Sequence, residues 1–378
     1  MSKQKNIKFL ILQTIGIILV VLGHKGGINL FTDWFPIYSF HMPLFIFISG
    51  YFYKTNSESN LIAFIKNKSK RLLIPYFAWN LIYGIIFTAI TKMNIIDYSA
   101  QGGELLSLRT LFIVPWLHGH QFIFNLATWF VLILFLVQIS YAIFRKIGMY
   151  IKVDNEYFFM IFFLIIGLTS VILANEGHIT GYKAPIIKVM FLIPFFHFGY
   201  LYKEKLESKD NLNNIAYFMI LFVIQLILLK KYVNLGFSVA WLNTFNKENI
   251  LLPFLTSLTG ILFWLRISKI LVKSFEGNKV LDYIGSNTWD IMTHHIFIYF
   301  LINLFLSKIA PYLNLDFNYE LFKTDIWYTY IPINGANFTL FYSFASISIP
   351  LLTRYCISKL IIFIKNRRTK NSYLNIRS

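Results

Sequence analysis

Chemistry in this sequence gathers at histidines that sit inside apolar runs. The first such run is Lys8-Phe-Leu-Ile-Leu-Gln13-Thr-Ile-Gly-Ile-Ile-Leu-Val-Val-Leu-Gly-His24. Gln13 and His24 are eleven residues apart, close to the roughly 10.8 residues of three helical turns, so both fall on one helix face. They are separated by a rise of about 16 Å, with Gln13 towards the N-terminal side of the run and His24 at its other end. Gly16 and Gly23 permit close approach of another helix. The second run opens Tyr38-Ser39-Phe40-His41-Met42-Pro43, which places His41 about one turn in from the side where His24 ends. Pro43 frees a backbone carbonyl near His41 and bends or starts the helix. Two histidines from consecutive runs thus converge at similar depth. Histidine titrates near neutrality and is the usual general base or proton relay. A metal pair would need a third ligand, and none lies nearby in sequence. His24 taken by itself reads as an interfacial histidine.

A third run, Asn287-Thr288-Trp289-Asp290-Ile-Met-Thr293-His294-His295, carries an aspartate and adjacent histidines. Such groups in an apolar helix are costly unless they face a bundle interior. Neighbouring helix residues point about 100° apart, so one of His294 and His295 at most faces a given site. Asp290 is four before His294 and can hydrogen-bond it. Basic chemistry is offered by Lys66-Asn-Lys68-Ser-Lys70-Arg71. Lys66 reads as ordinary loop charge near anionic lipid. Lys68 and Arg71, three apart, share a helical face and can grip phosphates. Trp129, in Asn125-Leu-Ala-Thr128-Trp129-Phe130, sits where an interface anchor commonly sits.

The elements that must position these groups follow from composition. The 378 residues are 57% apolar, 19% aromatic and only 14% charged. A soluble domain carries about 25% charge, and disorder needs low hydrophobicity, so both are excluded. A spanning helix needs about 20 mostly apolar residues. The sequence offers ten, at 8–24, 36–53, 72–91, 126–144, 157–174, 186–202, 214–233, 250–270, 288–307 and 338–362. The stretch 108–116 ends near Pro115 and is too short to cross. The expectation is an all-α, polytopic membrane bundle forming a single domain over 1–378, in the plasma membrane.

There are 35 Lys and Arg against 17 Asp and Glu, a net charge of +18. With a cytoplasmic N-terminus, most of the basic residues fall on inner segments, as the positive-inside bias requires. These include Lys3, Lys5 and Lys8, Arg145, Arg266 and Lys269, and the tail Lys365, Arg367, Arg368, Lys370 and Arg377. Lys25, Lys183 and Lys188 fall outside. Arg354, near the inner end of the last span, can snorkel. Both termini are then cytoplasmic, and the charge excess points to topology and membrane lipid rather than to nucleic acid. The first run has no small-residue cleavage pattern after it and reads as an uncleaved span. The lone Cys356 excludes an intrachain disulfide and a multi-cysteine metal site. The outer loop 308–337 carries Asp316, Glu320 and Asp325 among Phe317, Tyr319, Phe322, Trp327, Tyr328 and Tyr330. It reads either as a sugar-stacking surface or as an interfacial aromatic belt.

At these residues the sequence resembles the integral-membrane acyltransferase family 3. The resemblance rests on Val20-Val-Leu-Gly-His24, Phe40-His41-Met-Pro-Leu-Phe-Ile-Phe-Ile-Ser-Gly-Tyr-Phe52 and Lys68-x-x-Arg71-Leu-Leu-Ile-Pro-Tyr76, with weaker matches at Trp129-Phe130 and from Asn287 to His295. Within the family the chain looks most similar to members that O-acetylate capsular polysaccharides or exopolysaccharides. The resemblance implies a cytoplasmic acyl-CoA donor, usually acetyl-CoA, and transfer to a sugar hydroxyl of a cell-surface glycan or its lipid-linked precursor. It implies that His24 is the essential histidine and that Lys68 and Arg71 face CoA. His41 and His295 match recurrent polar positions. One departure stands out: the family usually has Arg, sometimes Lys, eleven before the histidine, where this chain has Gln13. Gln can hydrogen-bond a thioester carbonyl or a pantetheine amide but cannot ion-pair.

The mechanism expected is general-base catalysis by His24, with Gln13, His41 and Trp129 as donors to the developing oxyanion. Trp129, Asp290, His294 and His295 are expected to meet the acceptor. No metal is called for. Direct transfer and an acyl-histidine intermediate both remain open. The rival from another class is a polysaccharide or lipid-linked-sugar transporter or flippase. That reading expects paired repeats, and no repeat is visible.

Overall fold

The computed structural model describes residues 6–25, 33–101, 103–330 and 338–375. Apolar runs in lipid satisfy their backbone by coiling, and the described residues contain helices and loops with no strand. Each expected span is a helix: α1 Ile7–Lys25, α2 Ile37–Tyr51, α3 Leu61–Lys92, α4 Trp129–Tyr150, α5 Glu156–Asn175, α6 Lys183–Leu201, α7 Asn214–Lys231, α8 Leu252–Phe275, α9 Thr288–Leu313 and α10 Thr339–Asn375. Among the described residues nine helices are long and apolar enough to cross a membrane, so this is a multi-pass membrane protein. The exception is α2, whose 15 residues rise about 22 Å, short of a hydrocarbon core of about 30 Å. The stretch expected to be too short is a helix at Leu108–Phe112 and a turn at Val114–Trp116.

Helix α2 escapes the length rule because protein surrounds it: Phe40, His41, Leu44, Phe47, Ile48 and Gly50 are all buried. Its tightest neighbour is α6. A Cβ on Gly50 would stand 1.8 Å from the Phe196 carbonyl oxygen, and one on Gly199 would stand 2.0 Å from the Phe47 oxygen. These glycines set the backbone approach. At Gly16 and Gly23, flagged by the sequence, an added Cβ would meet only the side chains of Phe45 at 3.1 Å and Ile37 at 3.2 Å. By contrast α7 turns Ile215, Met219, Val223 and Ile227 outwards, as a lipid-facing helix must.

Two faces follow from the contacts. The start of α1 lies against the short helix Lys279–Ser286 that precedes α9, with Thr14 Oγ1 donating to the Leu281 carbonyl at 3.3 Å. Tyr283 donates to the carbonyl of Leu351 in α10 at 3.3 Å. The first half of α1 and the Leu351 region of α10 therefore share one face, the near face, and His24, at the other end of α1, lies towards the opposite, far face.

Near-face basic residues also act as staples. Lys8 pairs with Glu207, which accepts from Tyr51 at 2.7 Å, tying α1 and α2 to the segment after α6. Arg145 grips Glu156 with two bonds of 2.7 and 2.9 Å and reaches Glu58 at 3.2 Å. Asp210 joins Arg266 and Lys269. Lys3, Lys5 and Arg377 lie outside the described residues, as do the side chains of Lys25, Lys365, Arg367, Arg368 and Lys370.

Candidate active site

A cavity of about 620 Å³ opens among the near-face ends of α1–α4 and α9, within the size range of small-molecule sites. Its polar lining includes Gln13, Ser49, Lys54, Ser57, Lys68, Arg71, Gln138 and Thr288. Helix α3 is 32 residues long, about 48 Å, so its first turns reach beyond the hydrocarbon and carry Lys68 and Arg71 to the cavity mouth. The chain widens there into a π-helical stretch, Ser69–Leu73, a distortion often kept at functional sites. Among the described residues, neither Lys68 nor Arg71 forms an ion pair, whereas Lys8, Arg145 and Arg266 do. Lys68 only rests on the Phe64 ring, at 5.3 Å. The Gln138 Oε1 is buried in the same wall without a partner. Unpaired cations and an orphaned acceptor beside this cavity suit a ligand that carries phosphate and amide groups.

A second cavity, about 320 Å³, opens on the far side. His24, Tyr38, His41, His120, Trp129, Trp241 and Trp327 line it. The cavities share Val20, Met42 and Met292, which form a thin apolar septum between them. Val20 is one turn before His24 on α1, so the septum interrupts the line from Gln13 to His24.

The histidine ring states follow from their partners. His24 Nδ1 lies 2.8 Å from the Val20 carbonyl, which only accepts, so Nδ1 carries the proton and Nε2 the lone pair. His295 Nδ1 is 3.0 Å from the carbonyls of Ile291 and Met292, so its Nε2 is an acceptor. That Nε2 lies 3.4 Å from His24 Nδ1. His41 Nδ1 donates to the Ile37 carbonyl at 2.7 Å, which leaves its Nε2 as an acceptor too. Tyr38 stands edge-on to both His24 and His41, with ring centroids 6.0 and 5.2 Å away.

His24, His41 and Trp129 thus share one chamber, and His295 backs His24 from behind. Gln13, Lys68 and Arg71 share the other. Asp290 and His294 border neither. The hydrogen bond anticipated between them is not made: Asp290 turns outwards to accept from Arg354 at 3.0 Å, and His294 Nδ1 meets the Tyr83 hydroxyl at 2.6 Å. Helical spacing allowed the pair, but α3 and α10 offered each residue a better partner. Arg354, expected to snorkel, is held by that bond while half exposed. Trp129 is buried rather than anchored in an interface, with the Lys188 ammonium 4.5 Å above its ring.

The aromatic loop divides. Phe317, Phe322 and Tyr328 pack into the core, and Trp327 reaches the far chamber. There it meets Trp241 at 6.2 Å, and Trp241 stacks on His120 at 5.0 Å. Sequence reasoning missed His120, Trp241 and Lys188. They lie in loops or at a helix start without periodicity, and only tertiary contacts bring them in.

Comparison with known proteins agrees with this architecture. A model of acyltransferase family 3, described as an acyltransferase domain, matches residues 8–355. The nodulation protein NolL of Sinorhizobium fredii is 27% identical over 220 residues, covering 56% of this chain and 52% of that protein. The chain thus spans about half the length of the curated relative it matches. No solved structure matches. With nearly its whole length matched, this chain belongs to acyltransferase family 3.

Proposed function

We propose that the protein moves an acyl group, most simply acetyl, from cytoplasmic acyl-CoA to a hydroxyl of a capsular or other cell-surface polysaccharide, or of its lipid-linked precursor, at the plasma membrane. The observation that carries this reading is the pair of cavities with a thin shared wall, one bearing unpaired cations and the other histidines and aromatic rings. The near face is taken as cytoplasmic on the charge bias.

In this reading Lys68 and Arg71 hold CoA phosphates and Gln13 hydrogen-bonds the pantetheine arm. The thioester reaches the septum of Val20, Met42 and Met292. An acceptor sugar lies in the far chamber against Trp129, Trp241 and Trp327, whose rings suit the apolar face of a sugar. Nε2 of His24 takes the proton from the acceptor hydroxyl as its oxygen attacks the thioester carbonyl. The C–O bond forms, the C–S bond breaks, and the proton passes to the departing thiolate, giving ester and free CoA. General-base help of this kind contributes about 10²–10⁴-fold. As His24 becomes cationic, its Nδ1–H stays held by the Val20 carbonyl and His295 Nε2, the role a third member plays in a triad. His41 Nε2 is an acceptor in the neutral ring, so His41 can accept from a neighbouring sugar hydroxyl and orient the ring rather than donate to the oxyanion. The indole N–H of Trp129 remains as the oxyanion donor, and Gln13, on the near side of the septum, serves the pantetheine arm alone.

The test is direct. Purified protein given acetyl-CoA should release free CoA when glycan is added and should leave an alkali-labile acetyl on the glycan. Release without acceptor acetylation would contradict the reading.

A further inference from the structure

Two far-face cations have polar partners: Arg109 pairs with Glu104 at 2.6 Å, and Lys183 meets His178 Nδ1 at 3.1 Å. Lys188 differs. It sits just inside the far end of α6, is only 3% exposed, and among the described residues makes neither an ion pair nor a hydrogen bond. All 17 Asp and Glu lie within the described residues, so no side-chain carboxylate elsewhere in the chain is left to serve it. Its ammonium faces the Trp129 ring at 4.5 Å, and Trp129 lines the far chamber. The loop carrying His118 and His120 closes over the same tryptophan. Gly119 has φ +76°, and a Cβ there would stand 3.0 Å from the Trp129 Cβ. His120, also in the chamber wall, lies 5.9 Å from Trp129 between ring centroids. Desolvation first and the Lys188 charge second hold the His120 imidazole well below its usual range. A buried charge is costly unless paired, and a cation–π contact offsets only part of that cost.

We propose that Lys188, packed against the chamber-lining Trp129, is an anion subsite bordering the acceptor chamber, and that the acceptor is an acidic glycan bearing a carboxylate or a phosphodiester. The assignment rests on the far chamber being the acceptor site. A uronic-acid unit and a phosphate-linked repeat offer the same oxyanion chemistry, and the substrate decides between them.

The experiment has a binding arm and a kinetic arm. For binding, thermal unfolding of purified protein is followed with D-glucuronate, inorganic phosphate or D-glucose at matched ionic strength. A Lys54→Ala/Lys68→Ala/Arg71→Ala background removes the cations that line the near-face cavity. At least one anion should raise the midpoint, glucose should not, and Lys188→Gln should abolish the shift while Lys188→Arg restores it. For kinetics, CoA release is compared for a glucuronate-containing oligosaccharide, its carboxyl-reduced form and a glycerol-phosphate-linked oligosaccharide. One acidic acceptor should exceed the neutral one by about 10-fold or more in kcat/KM, a preference that Lys188→Gln removes, as for a charge-assisted bond. The acidic acceptor that wins identifies the source of the anion. Equal use of acidic and reduced oligosaccharides, or protection unchanged by Lys188→Gln, overturns the subsite and leaves the transferase reading intact. Lys188-dependent protection with no acetylation of any glycan would instead overturn the acceptor reading and keep the subsite.

Discussion

His295 Nε2 lies 3.4 Å from His24 Nδ1, joining α9 to the end of α1 through their imidazoles. The bond has one sense: His295 is fixed as an acceptor by two backbone carbonyls that take its Nδ1 proton. It therefore orients His24 with its basic nitrogen away from α9, and it can support a positive charge on His24 without competing for the substrate proton. The first two predictions rest on this pair.

His24→Ala should lower transfer by about 10²–10⁴-fold while leaving expression and the unfolding midpoint near wild type. The side chain is only partly buried, and its removal leaves α1 packed. The check is CoA release alongside thermal unfolding of the same preparation.

His295→Leu should lower kcat for acetyl transfer and leave the KM for acetyl-CoA unchanged, because the residue acts through His24 and not through the donor. His295→Asn, which keeps an acceptor on the same helix face, should recover part of the loss. A KM effect with kcat intact would assign His295 to substrate binding instead.

Arg71→Ala and Lys68→Ala should each raise the KM for acetyl-CoA by about 10–100-fold, the worth of a hydrogen bond to a charged group. The KM for glycan should stay put. High salt should weaken wild type and flatten the difference. Steady-state kinetics with each substrate varied in turn will show whether the effect is confined to the donor.

The Met42–Met292 wall makes a steric prediction. Met292→Trp should fill the opening and cut kcat with both substrates still bound. Met292→Ala should widen it and shift the donor preference from acetyl- towards butyryl-CoA. Competition between the two donors, read from the mass of the acylated glycan, measures this.

Gly50→Ala should destabilise the fold, since its Cβ would overlap the Phe196 carbonyl oxygen. Overpacking of this kind costs about 1–3 kcal/mol or more. A lowered unfolding midpoint and reduced yield should accompany Gly50→Ala but not Gly16→Ala, where only the Phe45 ring has to move.

The bundle was legible because a lipid-crossing helix writes itself as an unbroken apolar run, and all ten runs are helices. Gln13, His24, Lys68 and Arg71 were legible because helical spacing and charge place them without tertiary knowledge. The partners of Asp290 and His294 were not: side chains four apart on a helix can meet, yet Arg354 and Tyr83 come from helices distant in sequence. Lys188 looked like one more loop charge, since sequence carries no sign that Trp129 folds beneath it. The tight helix contact also hid, because Gly50 and Gly199 belong to different spans and neither sits in a repeated small-residue pattern.

The central claim is that donor and acceptor meet from opposite faces across the Met42–Met292 wall. It is tested by sealing radiolabelled acetyl-CoA inside proteoliposomes and supplying oligosaccharide only outside. The account predicts labelled ester on the outside glycan with wild-type protein, and none with His24→Ala. Labelling that appears only when both substrates are placed on the same side would contradict it.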